Sequence, residues 1–222
     1  MRNGRRGAAG RIWGVMAANA LLAAIITGLF VFLGRGGGDV RAVAASGAVY
    51  RGREGVALVC RMSWSAASLD KILRALDERG ARMTFAVSAE WVGENPIQLL
   101  SMVRAGHEIA ALAVGEGSIE PAVRSIEAIT GRTPRICIID REGRARSEAA
   151  QLGLTAVIGS MDLVTTRGDA RDILRRAAGN AKGGDVILAD PTAAFSDALG
   201  NILDYFSSSG LTGTTVSGTI YD

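Results

Sequence analysis

The chain has 222 residues, of which 48% are hydrophobic and 21% are charged, a composition that suits one globular domain with an additional apolar segment. The formal net charge is +3, but Arg2, Arg5, Arg6 and Arg11 stand before the apolar segment, and the remaining chain has 21 basic and 22 acidic side chains. This near neutrality, without a basic stripe, excludes a nucleic-acid binder, and the one histidine, His107, excludes sites with two histidine ligands.

The first predicted element is an apolar helix at residues 12–33, which contain no charged side chain. At 1.5 Å per residue it would be about 33 Å long, enough to cross a hydrocarbon core of about 30 Å. It predicts a single transmembrane anchor after a basic tail of residues 1–11, with the N-terminus in the cytoplasm and the domain outside it. A cleavable signal peptide is the alternative, but its apolar region would be too long and the small-residue site at 42–44 lies beyond Arg35 and Arg41.

After the anchor, residues 34–54 are rich in glycine, alanine and arginine and are predicted as a linker. From residue 55 to residue 222, short apolar runs alternate with amphipathic segments, a pattern typical of βα units around a parallel sheet. The predicted strands are 56–60, 83–87, 108–114, 135–139, 155–159 and 185–189. The predicted helices are 68–79, 96–105, 119–129, 147–152, 169–181 and 193–207. These elements predict an α/β fold without a second domain.

Both cysteines, Cys60 and Cys137, stand inside predicted strands. We interpret them as buried free thiols, which behave as small hydrophobic side chains. A disulfide between them is the alternative, because sequence alone does not show whether the two residues meet.

Several short sequence motifs of this domain occur in the same order as in the members of a known family. They are residues 56–64, the helix and strand of 69–87, the phrases 90–96 and 105–109, and later landmarks at 131–134 and 181–189. Together they resemble the polysaccharide deacetylase (NodB-homology) family of carbohydrate esterases. The resemblance implies a distorted (β/α) barrel of about six to seven strands that is tethered to the membrane and faces cell-wall glycan. Trp64 makes the first phrase similar to a sporulation-associated branch.

The resemblance also implies a reaction, removal of an acetyl group from an N-acetylated sugar. The family uses an aspartate base, a divalent metal held by one aspartate and two histidines, and a histidine acid. The corresponding positions here are Arg61 for the base, Met62 for the metal aspartate, Leu112 and Glu116 for the metal histidines, Ile138 near the third-motif arginine, and Asp190 for the acid. Arginine cannot accept a proton, and leucine and methionine do not bind such a metal as histidine and aspartate do. We therefore expect no metal cofactor and no deacetylation.

At the barrel end we hypothesise that the Arg61 guanidinium takes the place of the metal and pairs with Glu116 and Asp190. The alternative is that these are separate solvated charges. Trp64, Trp91 and Asp162 are candidate ligand contacts, although both tryptophans are also explained by packing.

The leading functional interpretation is a non-catalytic membrane protein that binds cell-wall glycan or an envelope protein. The second is an enzyme, an N-deacetylase or another hydrolase of C–N bonds, with a rebuilt site of Glu116, Asp140, Asp162 and Asp190. Such oxygen ligands would favour Ca²⁺ or Mg²⁺. The third is a membrane-tethered scaffold without a ligand.

Overall fold

The computed structural model describes residues 47–115, 117–163 and 168–221. The predicted tail, the predicted transmembrane helix at 12–33 and residues 34–46 of the predicted linker lie outside the described residues. Within the described ranges, no helix has both the length and the apolar character that crossing a bilayer requires.

The described residues form eight strands and eight helices, which alternate except for one pair of consecutive helices and one pair of consecutive strands. The strands are β1 (Val56–Met62), β2 (Thr84–Val87), β3 (Glu108–Leu112), β4 (Ile136–Ile138), β5 (Thr155–Val157), β6 (Met161–Asp162), β7 (Asp185–Ala189) and β8 (Gly213–Thr214). The helices are α1 (Leu69–Asp77), α2 (Ala89–Glu94), α3 (Pro96–Arg104), α4 (Glu120–Thr130), α5 (Arg144–Gln151), α6 (Ala170–Asn180), α7 (Ala193–Ser208) and α8 (Val216–Tyr221).

All strands join one parallel sheet in the order β5-β4-β3-β2-β1-β7-β6, and β8 adds to β1. The two edge strands, β5 and β6, are separated by only residues 158–160. Four Cα steps span at most about 14 Å, so the edges lie near each other and the sheet must curl. The α/β barrel predicted from the sequence is confirmed in this curled form.

The curled sheet has an outer and an inner apolar face, because successive side chains of a strand point to opposite sides. In β1, Cys60 and Met62 pack in the outer cluster with the helices, whereas Ala57 and Val59 belong to the inner cluster. The inner cluster consists mainly of small aliphatic side chains: Ala57, Val59, Ala86, Ala110, Leu112, Ile136, Ile138, Val157, Val186, Leu188 and Val216. By the same alternation, Arg61 is the next inward residue of β1.

The amino-terminal end of the barrel is closed by the short helix α8. Val216 is buried in the inner cluster, and Tyr221 packs against it. The backbone N–H of Val216 donates to Thr84 Oγ1 at 2.9 Å, and that of Ser217 donates to Glu108 Oε2 at 3.2 Å. Thr84 and Glu108 begin β2 and β3, so α8 covers the inner apolar layer at this end.

Residues 47–53, which we call the entry segment, lie between the two edges of the sheet. Val49 N–H donates to Ala156 O at 2.8 Å, Ile158 N–H donates to Val49 O at 3.0 Å, and Gly52 N–H donates to Gly184 O at 2.7 Å. The last residues of the predicted linker are therefore bonded to the domain and help to close the barrel.

The prediction of two buried free thiols is confirmed. Cys60 lies on β1 and Cys137 on β4, three strand spacings apart in the sheet, or about 14 Å. A disulfide needs Cα atoms within about 7 Å, so the alternative of a bond between them is excluded. Burial raises the pKa of the Cys137 thiol to about 12 and raises that of Cys60 further.

Candidate functional site

Arg61 occupies the carboxyl end of β1, between two carboxylates from neighbouring strands. Its Nε donates to Asp190 Oδ1 at 2.9 Å, while Nη1 and Nη2 donate to Asp162 Oδ2 at 3.1 Å and Oδ1 at 3.3 Å. Asp190 follows the last residue of β7, and Asp162 is the last residue of β6. Because β1, β7 and β6 are adjacent and parallel, their carboxyl ends bring the three side chains together.

This cluster is shielded from solvent unevenly. The side chains of Arg61 and Asp190 are 14% and 18% exposed, and that of Asp162 is 37% exposed. Burial by itself lowers the pKa of the Arg61 guanidinium, but the charges of Asp190 and then Asp162 outweigh burial and raise it. Arg61 is therefore a permanent cation with its donors directed at two carboxylates, an arrangement of charge-assisted bonds that includes a bidentate pair.

The structure brings together Arg61 and Asp190 as hypothesised, and the second carboxylate is Asp162. Glu116, the other partner in the hypothesis, lies outside the described residues. The interpretation of Arg61 and Asp190 as separate solvated charges is wrong, because they form a direct ion pair.

At three other positions this sequence departs from the pattern that the resemblance implies, and the side chains there are apolar and buried. Met62 is fully buried on the outer face, where its Sδ lies 3.5 Å from Cys60 Sγ. Leu112 and Ile138 are buried in the inner cluster, where they form part of the apolar layer of the barrel. None of these three side chains can move a proton, and none offers the oxygen or nitrogen atom that a hard divalent metal binds.

A divalent metal does not fit those residues of this site that the structure describes. Within the described part of the chain, no three or more His, Cys, Asp and Glu side chains are grouped so that they could hold a metal ion. Asp162 and Asp190 already accept hydrogen bonds from the Arg61 guanidinium, whose positive charge would repel a cation.

The two tryptophans proposed as ligand contacts have different environments. Trp91 is 1% exposed and its Nε1 donates to Ser65 O at 3.3 Å, so the expectation that it contacts a ligand is wrong and the packing interpretation holds. Trp64 is 66% exposed and follows the carboxyl end of β1; Val114, 56% exposed, follows that of β3. Asp162 is the last residue of β6, so all three lie at or just after the carboxyl ends of parallel strands, and we call them the mouth surface.

Comparison with protein families gives one match, to polysaccharide deacetylase, over residues 61–114. This stretch contains β2 and β3 and the end of β1, and it confirms the resemblance that the sequence phrases indicate. A comparison with curated proteins found no significant match.

Solved structures share the fold across most of the domain. A CE4 family pseudoenzyme from Bacillus anthracis is 20% identical, with a TM-score of 0.71 over 77% of this chain and 68% of that protein. The Bc1960 peptidoglycan N-acetylglucosamine deacetylase is 19% identical, with a TM-score of 0.73 over 80% of this chain and 94% of its own. A family 4 carbohydrate esterase from Streptomyces lividans is 22% identical, with a TM-score of 0.65 over 73% of this chain and 93% of its own. The chain therefore has the CE4 deacetylase fold.

Proposed function

We propose that this chain, which carries the polysaccharide deacetylase fold, is a non-catalytic glycan-binding protein of the cell envelope. In this proposal residues 12–33 anchor it in the membrane and the mouth surface binds cell-wall glycan outside the cytoplasm. The observation that supports the non-catalytic part is the ion-paired cluster of Arg61, Asp162 and Asp190, which occupies the position where the resemblance implies a base and an acid.

Deacetylation needs an activated water, which in this fold requires a proton acceptor and a Lewis acid. Arg61 can supply neither, and Asp190 already accepts a hydrogen bond from it. Loss of a single group that stabilises the transition state costs about 10²–10³ in rate, so the joint loss of base, metal ligands and acid removes essentially all catalysis.

Binding does not need those groups. The indole of Trp64 offers an apolar ring face for stacking on a sugar, and the partly exposed Asp162 carboxylate can accept hydrogen bonds from sugar hydroxyls. One protein of similar fold is a peptidoglycan N-acetylglucosamine deacetylase, which supports the choice of ligand, and another is a pseudoenzyme, which supports the non-catalytic part.

The test uses the full chain, N-acetylated chito-oligomers and peptidoglycan, with zinc, cobalt, calcium or magnesium supplied. We expect no acetate release with any metal, and sedimentation of the protein with peptidoglycan. Trp64→Ala should weaken this binding severalfold to about tenfold, since stacking of a large ring contributes about 0.5–1.5 kcal/mol. Ile97→Ala is the matched control, because Ile97 is an apolar side chain, 77% exposed on α3, that is not one of the three residues of the mouth surface.

Each other result has a definite meaning. Acetate release would overturn the proposal in favour of the rebuilt enzyme. Equal binding by Trp64→Ala and Ile97→Ala would show that the mouth surface is not the glycan site. Absence of binding to both glycans would leave an envelope protein or a scaffold role and would contradict the glycan proposal.

A further inference from the structure

A second concave feature lies at the opposite end of the barrel from the mouth surface. This cavity has a volume of about 280 Å³ and is lined by Leu73, Arg74, Asp77, Arg82, Ala105 and His107. Arg82 stands just before β2 and His107 just before β3, whereas Arg74 and Asp77 belong to the last turns of α1. We call it the His107 cavity.

His107, the single histidine of the chain, forms the buried part of the wall of this cavity. His107 is only 8% exposed and packs edge-to-face against Phe85, with ring centroids 5.3 Å apart. Its Nδ1 is buried and has no hydrogen-bond partner among the described residues. A buried polar atom without a partner is uncommon in folded proteins and calls for a specific explanation.

Two arginines border the histidine. Among the described residues, neither Arg74 nor Arg82 has a carboxylate within ion-pair distance, and Arg82 Nη1 donates to Ala81 O at 3.1 Å. Gly106 lets Arg82 come close: its φ is +81°, and a Cβ placed there would lie 3.1 Å from Arg82 Nε. The guanidinium of Arg82 therefore lies across the backbone next to His107, with N–H groups left to donate.

The charged side chains around His107 are Arg74 and Asp77 of α1 and Arg82, which stands just before β2. Burial lowers the pKa of His107 to about 4, the charge of Arg82 lowers it as well, and Asp77 opposes both. The ring is neutral at pH 7, so the cavity then has two cations, Arg74 and Arg82, and one carboxylate, Asp77. Its net charge is positive, and its one buried ring can form a hydrogen bond.

We propose that the His107 cavity binds a phosphate group, held between the guanidinium groups of Arg74 and Arg82 with a hydrogen bond to the His107 ring. Guanidinium groups match the oxygens of phosphate in geometry and charge. The volume is at the lower end of that of ligand pockets, about 300 Å³, which suits free phosphate or the monoester of a small alcohol or sugar. Asp77 reduces the affinity for the anion and can accept a hydrogen bond from a ligand hydroxyl.

The test is an NMR titration of the full chain with isotope label in histidine only. His107 is the one histidine of the chain and gives the single signal that is measured. Inorganic phosphate and glycerol 3-phosphate are titrated separately at pH 7 and constant ionic strength, which keeps screening fixed. We expect saturable shifts and, in saturating ligand, a higher pKa of His107, because a nearby anion favours the imidazolium. Tighter binding of glycerol 3-phosphate would identify a phosphomonoester, and equal binding would identify phosphate alone.

Substitutions separate binding from general charge effects. Arg82→Gln and Arg74→Gln should each weaken binding about tenfold, through loss of a charge-assisted hydrogen bond, and Asp77→Asn should tighten it severalfold. Arg104→Gln, an exposed arginine of α3 that does not line the cavity, is the control and should not change it. Arg74 is exposed on α1, so its replacement keeps the test valid if Arg82→Gln fails to fold.

A shift that does not saturate, or that is the same in Arg74→Gln as in Arg104→Gln, would overturn the phosphate site. The mouth surface takes no part in this experiment, so its outcome is independent of the glycan proposal.

Discussion

Arg61 links the carboxyl ends of three strands by bonds from one side chain. Asp190 follows the end of β7 and Asp162 ends β6, so the hydrogen bonds of one guanidinium hold these two ends to that of β1. The arrangement explains how the two acids are tolerated near each other at a barrel end that is partly removed from water.

Replacement of this cation should therefore destabilise the domain. Arg61→Met keeps an apolar stem but leaves Asp162 and Asp190 facing each other without their counter-ion. We expect the free energy of unfolding of the full chain to fall by about 2–3 kcal/mol, less than for a fully buried pair because Asp162 is partly exposed. Urea denaturation of the full chain at pH 7 measures it.

Two further variants locate the cause of this loss. Arg124→Met removes an ion pair with Glu120 whose arginine is 77% exposed, and it should cost less than about 0.5 kcal/mol. Adding Asp162→Asn and Asp190→Asn to Arg61→Met should recover much of the stability, because the unpaired charges are then gone. A loss that persists in the triple variant would mean that packing of the Arg61 stem, rather than charge, is responsible.

The sequence predicts part of this cluster and misses the rest for a definite reason. The resemblance assigns Arg61 and Asp190 to the same barrel end, and their pairing follows from opposite charge. Asp162 lies on a strand of only two residues, too short for any periodic pattern to place it beside β7. It could therefore be named as a ligand contact but not as a partner of Arg61.

At the scale of elements, the long helices and buried strands are predicted closely, and the short closing elements are not. The sequence does not predict α2, β6, β8 or α8, which have two to six residues each. Such short pieces have little intrinsic stability and form because tertiary contacts hold them. For α8 those contacts are the bonds of its first N–H groups to Thr84 and Glu108.

The contact between the entry segment and α8 depends on one glycine. A Cβ at Gly52 would overlap the side-chain methyl and the carbonyl of Thr219, both of which are held by the helix. Gly52→Ala should therefore push the entry segment away from α8 and lower the free energy of unfolding by about 1–3 kcal/mol, as overpacking commonly does. Thermal unfolding of the full chain measures this change.

Gly179 provides the matched control for this substitution. It lies inside α6 with nothing within 4 Å of a Cβ, so Gly179→Ala should raise stability by about 0.5–1 kcal/mol through helix propensity. If Gly52→Ala is as stable as the unaltered chain, the entry segment is not packed on α8 as described.

At the scale of the whole molecule, the barrel class is predictable because parallel strands buried on both faces appear as continuous apolar runs between helices. Because these runs are apolar at nearly every position, the sequence does not show which of their residues face inward. The runs at 56–60 and 185–189 contain inner and outer residues of similar polarity, so the sequence does not indicate that the inner face is filled by Ala57, Val59 and Val186. It likewise does not indicate that α8 and the entry segment close the amino end.

This packing makes a prediction for the two thiols, which lie in the outer cluster on β1 and β4. Burial raises the pKa of Cys137 to about 12 and that of Cys60 still higher, so neither forms the reactive thiolate at neutral pH. A thiol reagent should label no cysteine in the native full chain and two in urea, and the native labelling rate should follow global unfolding. Ser209→Cys, at an exposed helix end, should react at once and serves as the control. Because the two thiols are free, a reducing agent should leave the thermal midpoint of the full chain unchanged. Rapid labelling of Cys60 or Cys137 in the native chain would contradict the description of the barrel as one closely packed unit.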